Sequence, residues 1–196
     1  MFRGWRFNLM ALSSGLLLSM SLPSTAHAQV CFRGHPRPRC SGFGVLEFTG
    51  AARLNPKATP SDQTPALFSW SAGYLHNIAR RSALGVAFKL AADGDGHRYG
   101  PVLRYRRWLG PTWSLDLAPG VFLGGKDDFS ALRFPSATAD IAINWGDRVG
   151  LTVGLDALRH VGRTTSWESY AGLRFGTWLA PLAMVGLGVL IGATWN

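Results

Sequence analysis

His160, Ser166 and Glu168 fall within one short stretch of the chain. A serine hydroxyl becomes a nucleophile when an imidazole takes its proton and an acid orients that imidazole. These residue types could therefore cleave an ester or an amide. Their spacing matches no lipid A deacylase motif, however, and His97 lies far away in sequence. They read instead as polar residues of an exposed loop, so no catalytic residue is expected. Asp93-Gly94-Asp95-Gly96 begins like a calcium loop, but the later acidic ligands are absent and the stretch reads as a turn. Asp127-Asp128 reads as a solvated loop tip. Neither a metal nor a cofactor is expected.

A second set of candidates is electrostatic. Glu47, Lys89, Arg104, Arg106, Asp116, Asp140, Asp156 and Arg174 recur among Gly, Ala, Ser and Thr at alternate positions of apolar segments. Period two is strand spacing, with successive side chains on opposite faces. The pattern is plainest in the hairpin 97–123, which turns at Gly110-Pro111. One face of its second arm carries Trp113, Leu115, Leu117, Pro119, Val121 and Leu123. The other carries Ser114, Asp116, Ala118 and Gly120, with Phe122 as its exception.

Strands of this type are expected over 43–54, 66–77, 82–92, 97–108, 113–123, 133–145, 148–159 and 167–176. Each is longer than the usual globular strand of about 5–6 residues. About 9–11 residues is what a tilted strand needs to cross a membrane. The connections after the first, third, fifth and seventh strands look longer and polar, and the others look like tight turns. Transmembrane barrels have this asymmetry, with short periplasmic turns and longer extracellular loops.

Residues 1–28 have the pattern of a secretory signal. Arg3 and Arg6 are the positive end, 9–22 is apolar, and Ala26-His27-Ala28 is a small-x-small cleavage site. The remaining 168 residues of the 196 suffice for one domain. The net charge of +9 falls to +7 without Arg3 and Arg6. Export makes nucleic acid a poor partner and anionic lipid a better one. The only cysteines, Cys31 and Cys40, flank a basic stretch. Their even count in an exported chain favours a disulfide closing segment 29–42. The alternative is a metal held by both thiols and His35, which lacks a fourth ligand.

The face with most of the aromatic and branched residues is expected to meet lipid. The small-residue face carries four acids and four bases, which suits a narrow barrel interior in which charges pair. A soluble sandwich would turn the large apolar face inward and present a richer polar face to water. Trp70, Trp108, Trp113, Trp145 and Trp167 lie near strand ends, where amphipathic rings suit the membrane interface. Arg37, Arg39, Arg80, Arg81, Arg106 and Arg107 put positive charge toward the short-turn end.

On these grounds residues 43–176 resemble the small eight-stranded outer-membrane barrels of Gram-negative bacteria, of the outer-membrane protein A and X type. The likeness rests on strand pattern, loop alternation and signal segment, and no short motif carries it. It implies an all-β, antiparallel, up-and-down transmembrane barrel that is monomeric and has a plugged or very narrow lumen. It also implies a cell outer membrane location, insertion by the barrel assembly machinery, and contact with outer-membrane lipids and lipopolysaccharide. The implied role is structural or surface-interacting. A narrow channel is an alternative. So is a lipid-modifying enzyme, since some such barrels act on lipid A, although the spacing of His160 and Ser166 matches no deacylase motif. The chain departs from the class in its tail, 177–196, which carries no charge and could be a helix, further strands or an anchor.

Overall fold

The computed structural model describes residues 30–31, 34–35, 40–55, 66–94, 96–127, 131–162, 164–177 and 179–182. The expected signal segment and most of the tail lie outside the described residues. Eight long strands form a closed antiparallel barrel: β2 (Gly42–Arg53), β3 (Ala66–Ala79), β4 (Ser82–Asp93), β5 (Gly96–Trp108), β6 (Trp113–Phe122), β8 (Leu132–Trp145), β9 (Val149–His160) and β10 (Ser166–Gly176). Each pairs with the next in sequence, and β10 closes on β2 with Phe175 opposite Phe48. Closure leaves no open sheet edge through the body of the barrel, as a lipid environment demands of any backbone that crosses it.

Two further short strands are present among the described residues. β1 (Val30–Cys31) runs parallel to the start of β2. It pairs with Gly42 and Phe43 on the side where β10, which ends opposite Glu47, does not reach. β7 (Gly124–Asp127) continues past β6 and pairs with Gly96 to Tyr99 of β5.

The alternation sorts the two faces cleanly. Outside, Val86, Phe88, Ile141, Val153 and Leu151 are exposed, the last at 67%. Inside, Lys89, Arg104, Arg106 and Asp116 are each 1% exposed. This inversion of the water-soluble arrangement, with an apolar outer belt and a polar interior, defines a transmembrane barrel. Phe48, Phe68, Trp70 and Phe175 cluster on the outer face across β10, β2 and β3, with ring centroids 5.6 to 6.4 Å from Phe48.

Three expectations need correction. The connection after the third long strand is not long: β4 and β5 keep their ladder to Ala92 opposite His97, leaving only 94–95 between them. Continued pairing satisfies backbone groups that a loop would leave to water, so strand runs through Asp93 and resumes at Gly96. The inner face is not uniformly small. Phe43, Leu75 and Trp108 form an apolar layer near the short-turn end, and Leu67, Phe122, Leu158 and Tyr170 form another toward the opposite end. Trp108 therefore faces inward, 6% exposed and edge-on to Phe43 at 5.8 Å, and is not an interfacial anchor. In the tail, 179–182 forms a helical turn. No helix among the described residues is long and apolar enough to cross a membrane.

Candidate functional site: the charged lumen and its cap

Besides these apolar side chains the lumen holds two clusters of ion pairs, built by strand register, and Phe122 and Tyr170 lie within the second of them. In the cluster nearer the short turns, Arg106 and Asp116 sit directly opposite each other on β5 and β6. The guanidinium donates twice to that carboxylate, from Nε and Nη2, both at 2.7 Å. Arg104, one inward position along β5, donates from Nη2 to Asp116 at 2.6 Å and to Glu47 at 3.1 Å. Arg174 approaches Glu47 and Asp116 at 3.6 Å and donates to Thr152 at 3.4 Å. Arg106 also donates to Asp147 in the β8–β9 turn. A charge inside a barrel is tolerable only with such partners, because desolvating each ion costs several kcal/mol (about, per ion). Arg106, placed by sequence both in the lumen and among the basic residues of the short-turn end, is a buried lumen residue and adds nothing to a lipid-facing surface.

The second cluster lies toward the longer connections. Lys89 Nζ donates to both oxygens of Asp140, at 2.8 and 3.0 Å, and to the Tyr170 hydroxyl at 2.8 Å. Tyr170 in turn donates to Asp140. The Lys89 ammonium also lies 5.4 Å from the Tyr170 ring centroid and 5.8 Å from that of Phe122. Tyr170 has room for its ring because its cross-strand partner is Gly154, where a Cβ would meet the ring at 2.2 Å. Farther along, Asp156 and Glu168 face each other directly across β9 and β10. Like charges in that position repel. Arg98 resolves this by donating to Asp156 at 2.8 Å and to Glu168 at 3.3 Å, and it reaches Asp93 at 3.3 Å. Arg53 pairs with Asp93 and approaches Glu168 at 3.6 Å. Thr138 Oγ1 donates to Asp156 at 2.6 Å.

All eight charged residues marked out in the sequence thus point into the lumen, divided between two clusters. Sequence reasoning left out Arg53, Asp93, Arg98, Asp147, Glu168 and Tyr170 as members. Arg98 shares the parity of Arg104 along β5, and Glu168 and Tyr170 share that of Arg174 along β10, so period two was a sufficient signal for these. Asp93 and Asp147 read as loop and turn residues, and only the closed barrel brings them to a partner. The same holds for Asp93 as a calcium ligand: its carboxylate is already engaged by Arg53 and Arg98.

Cys31 and Cys40 form a disulfide, with Cα atoms 5.8 Å apart, so neither thiol is left to bind a metal. The segment it closes is not merely local, because it is tied to the short-turn mouth. The Asn77 amide, itself fully buried, donates to the carbonyls of His35 at 2.8 Å and Cys40 at 2.7 Å. The Gly34 N–H donates to Asp147 Oδ2 at 3.2 Å. The lumen charge therefore continues into the cap: Arg106 holds Asp147, which holds Gly34.

At the opposite mouth, His160 Nε2 and Ser166 Oγ lie 2.7 Å apart. Glu168 is drawn into the ion pairs with Arg98 and Arg53.

No family model and no curated protein matches the chain. Among solved structures it is similar to a transmembrane β-barrel of de novo design, at 9% identity and a TM-score of 0.40, over 74% of this chain and 98% of that one. It is also similar to the outer membrane protein Ail of Yersinia pestis, described in a phospholipid bilayer nanodisc, at 11% identity and a TM-score of 0.39, over 68% of this chain and 97% of that one.

Proposed function

We propose that this chain is an outer-membrane β-barrel of the outer-membrane protein A and X type, with a structural or surface-interaction role and no catalytic activity. It sits as a monomer among outer-membrane lipids and lipopolysaccharide after insertion by the barrel assembly machinery. The observation that carries the reading is the packing of the lumen, where fully buried Lys89, Arg104 and Arg106 are each bound to carboxylates from other strands. An eight-stranded barrel is only wide enough for side chains to fill, and this interior is filled from the cap to the second cluster. Such a barrel stays closed in planar bilayers and fractionates with outer membranes, migrating faster on unboiled gels than after boiling. Discrete conductance steps altered by neutralising Arg104 would instead establish a channel. A species fractionating as soluble would end the membrane reading altogether.

The short contact between His160 and Ser166 favours one second reading, a lipid-modifying enzyme at the barrel mouth. Replacing Ser166 by Ala and His160 by Ala, then comparing lipid A mass profiles of cells with and without the variants, decides between the two. Unchanged profiles remove the enzyme.

A further inference from the structure

The short-turn rim carries one sign of charge on its surface. Arg80, Arg81, Arg107 and Arg148 are exposed there. The carboxylate of the same rim among the described residues, Asp147, is occupied by Arg106 and by the Gly34 N–H. Between the cap and the turns lies a pocket of about 250 Å³, lined by His35, Thr112, Trp113, Trp145, Asp147 and Arg148 among others. Trp113 and Trp145 are direct cross-strand partners on β6 and β8, about half exposed on the lipid side at 48% and 56%. Below them on the same face, Leu115 opposes Ile143 and Leu117 opposes Ile141, which gives an apolar track along the barrel wall.

We propose that this pocket binds the headgroup of an anionic glycerophospholipid from the adjoining leaflet. Its phosphate lies between Arg148 and His35, its glycerol region lies against the two tryptophans, and its acyl chains run down the β6–β8 face. The inference rests on the membrane reading above, which puts the short turns at the periplasmic interface. Charge complementarity selects an anion, because the one acid of the pocket is already neutralised from inside the barrel. The acyl track selects a lipid over a soluble anion or an acidic peptide, neither of which has an apolar portion for it. A second copy of the chain is disfavoured because two rims whose exposed charges, among the described residues, are Arg80, Arg81, Arg107 and Arg148 repel. The disulfide-closed cap supplies one wall, which gives the Arg106–Asp147–Gly34 chain a purpose beyond closing the lumen.

Native mass spectrometry of the folded chain in detergent, with phosphatidylglycerol and phosphatidylcholine added in equal amounts, tests this. The unaltered protein is expected to retain phosphatidylglycerol preferentially. Arg148→Gln should weaken that retention about fivefold, the worth of one basic residue at an anionic lipid surface, with heat-modifiable migration unchanged. Arg159→Gln, exposed toward the other end, should leave retention as it is. Equal retention of both lipids, no loss in the Arg148 variant, or an equal loss in the Arg159 variant would each overturn the pocket while leaving the barrel intact. Failure of the unaltered chain to show heat-modifiable migration would overturn the membrane reading, and the pocket with it.

Discussion

Single residues in the lumen carry consequences far larger than surface charges would. Arg98 separates Asp156 from Glu168, two carboxylates that register forces together. Replacing it by Met leaves them facing each other with less counter-charge. Removing one partner of a buried pair costs about 3–5 kcal/mol, so urea unfolding followed by tryptophan fluorescence should show a loss of that size. A loss below about 1 kcal/mol, the range of exposed pairs, would mean that water already screens the site. Gly154 is the steric counterpart. An added methyl would meet the hydroxyl end of the Tyr170 ring, the end that Lys89 and Asp140 hold in place. Gly154→Ala should therefore destabilise by about 1–3 kcal/mol, the usual cost of overpacking, by the same measurement.

Among the elements, the cap shows how a segment outside the eight staves is held in place. Asn77 is the inward residue near the end of β3, and its amide serves two carbonyls of the disulfide-closed loop. Asn77→Ala removes both donors and should cost about 1–3 kcal/mol, the penalty for leaving a buried polar group unsatisfied. Hydrogen exchange at the Gly34 amide, bonded to Asp147 in the intact protein, should accelerate in that variant. Unaltered exchange would mean that the disulfide and β1 hold the cap by themselves. At the other end, β7 pairs with β5 alone and lengthens one hairpin beyond the barrel wall.

For the molecule as a whole, solvent on the outside is what distinguishes this barrel from a soluble one of similar strand count. Val153 lies mid-strand on β9 and is 55% exposed. In lipid, Val153→Arg should cost about 2–4 kcal/mol at the bilayer midplane, read as lost folding yield into phospholipid vesicles. A soluble barrel would accept the same arginine on its surface with almost no change. The substitution thus tests the inversion of inside and outside directly, through energy and not through location.

The barrel was legible in the sequence because membrane strands obey a strict period of two: parity alone assigned Glu47, Lys89, Arg104, Arg106, Asp116, Asp140, Asp156 and Arg174 to one face, and composition showed that this face could not be the wet surface of a soluble sheet. Strand ends were less legible. Pairing can continue through residues such as Asp93 and Gly96 that read locally as turn, because the neighbouring strand, not the local residue type, decides whether a backbone amide finds a partner. Which charges meet was not legible at all. Arg98 and Glu168 are 70 residues apart, and Arg104 and Glu47 are 57 apart. Parity puts each inside, but only closure of β10 on β2 sets their heights and brings them across the lumen. The cap belongs wholly to the tertiary level: the spacing of Cys31 and Cys40 permits a closed loop, and the place where it docks is decided by Asn77 and Asp147, contributed by a distant strand and turn that the closed barrel carries to the same mouth.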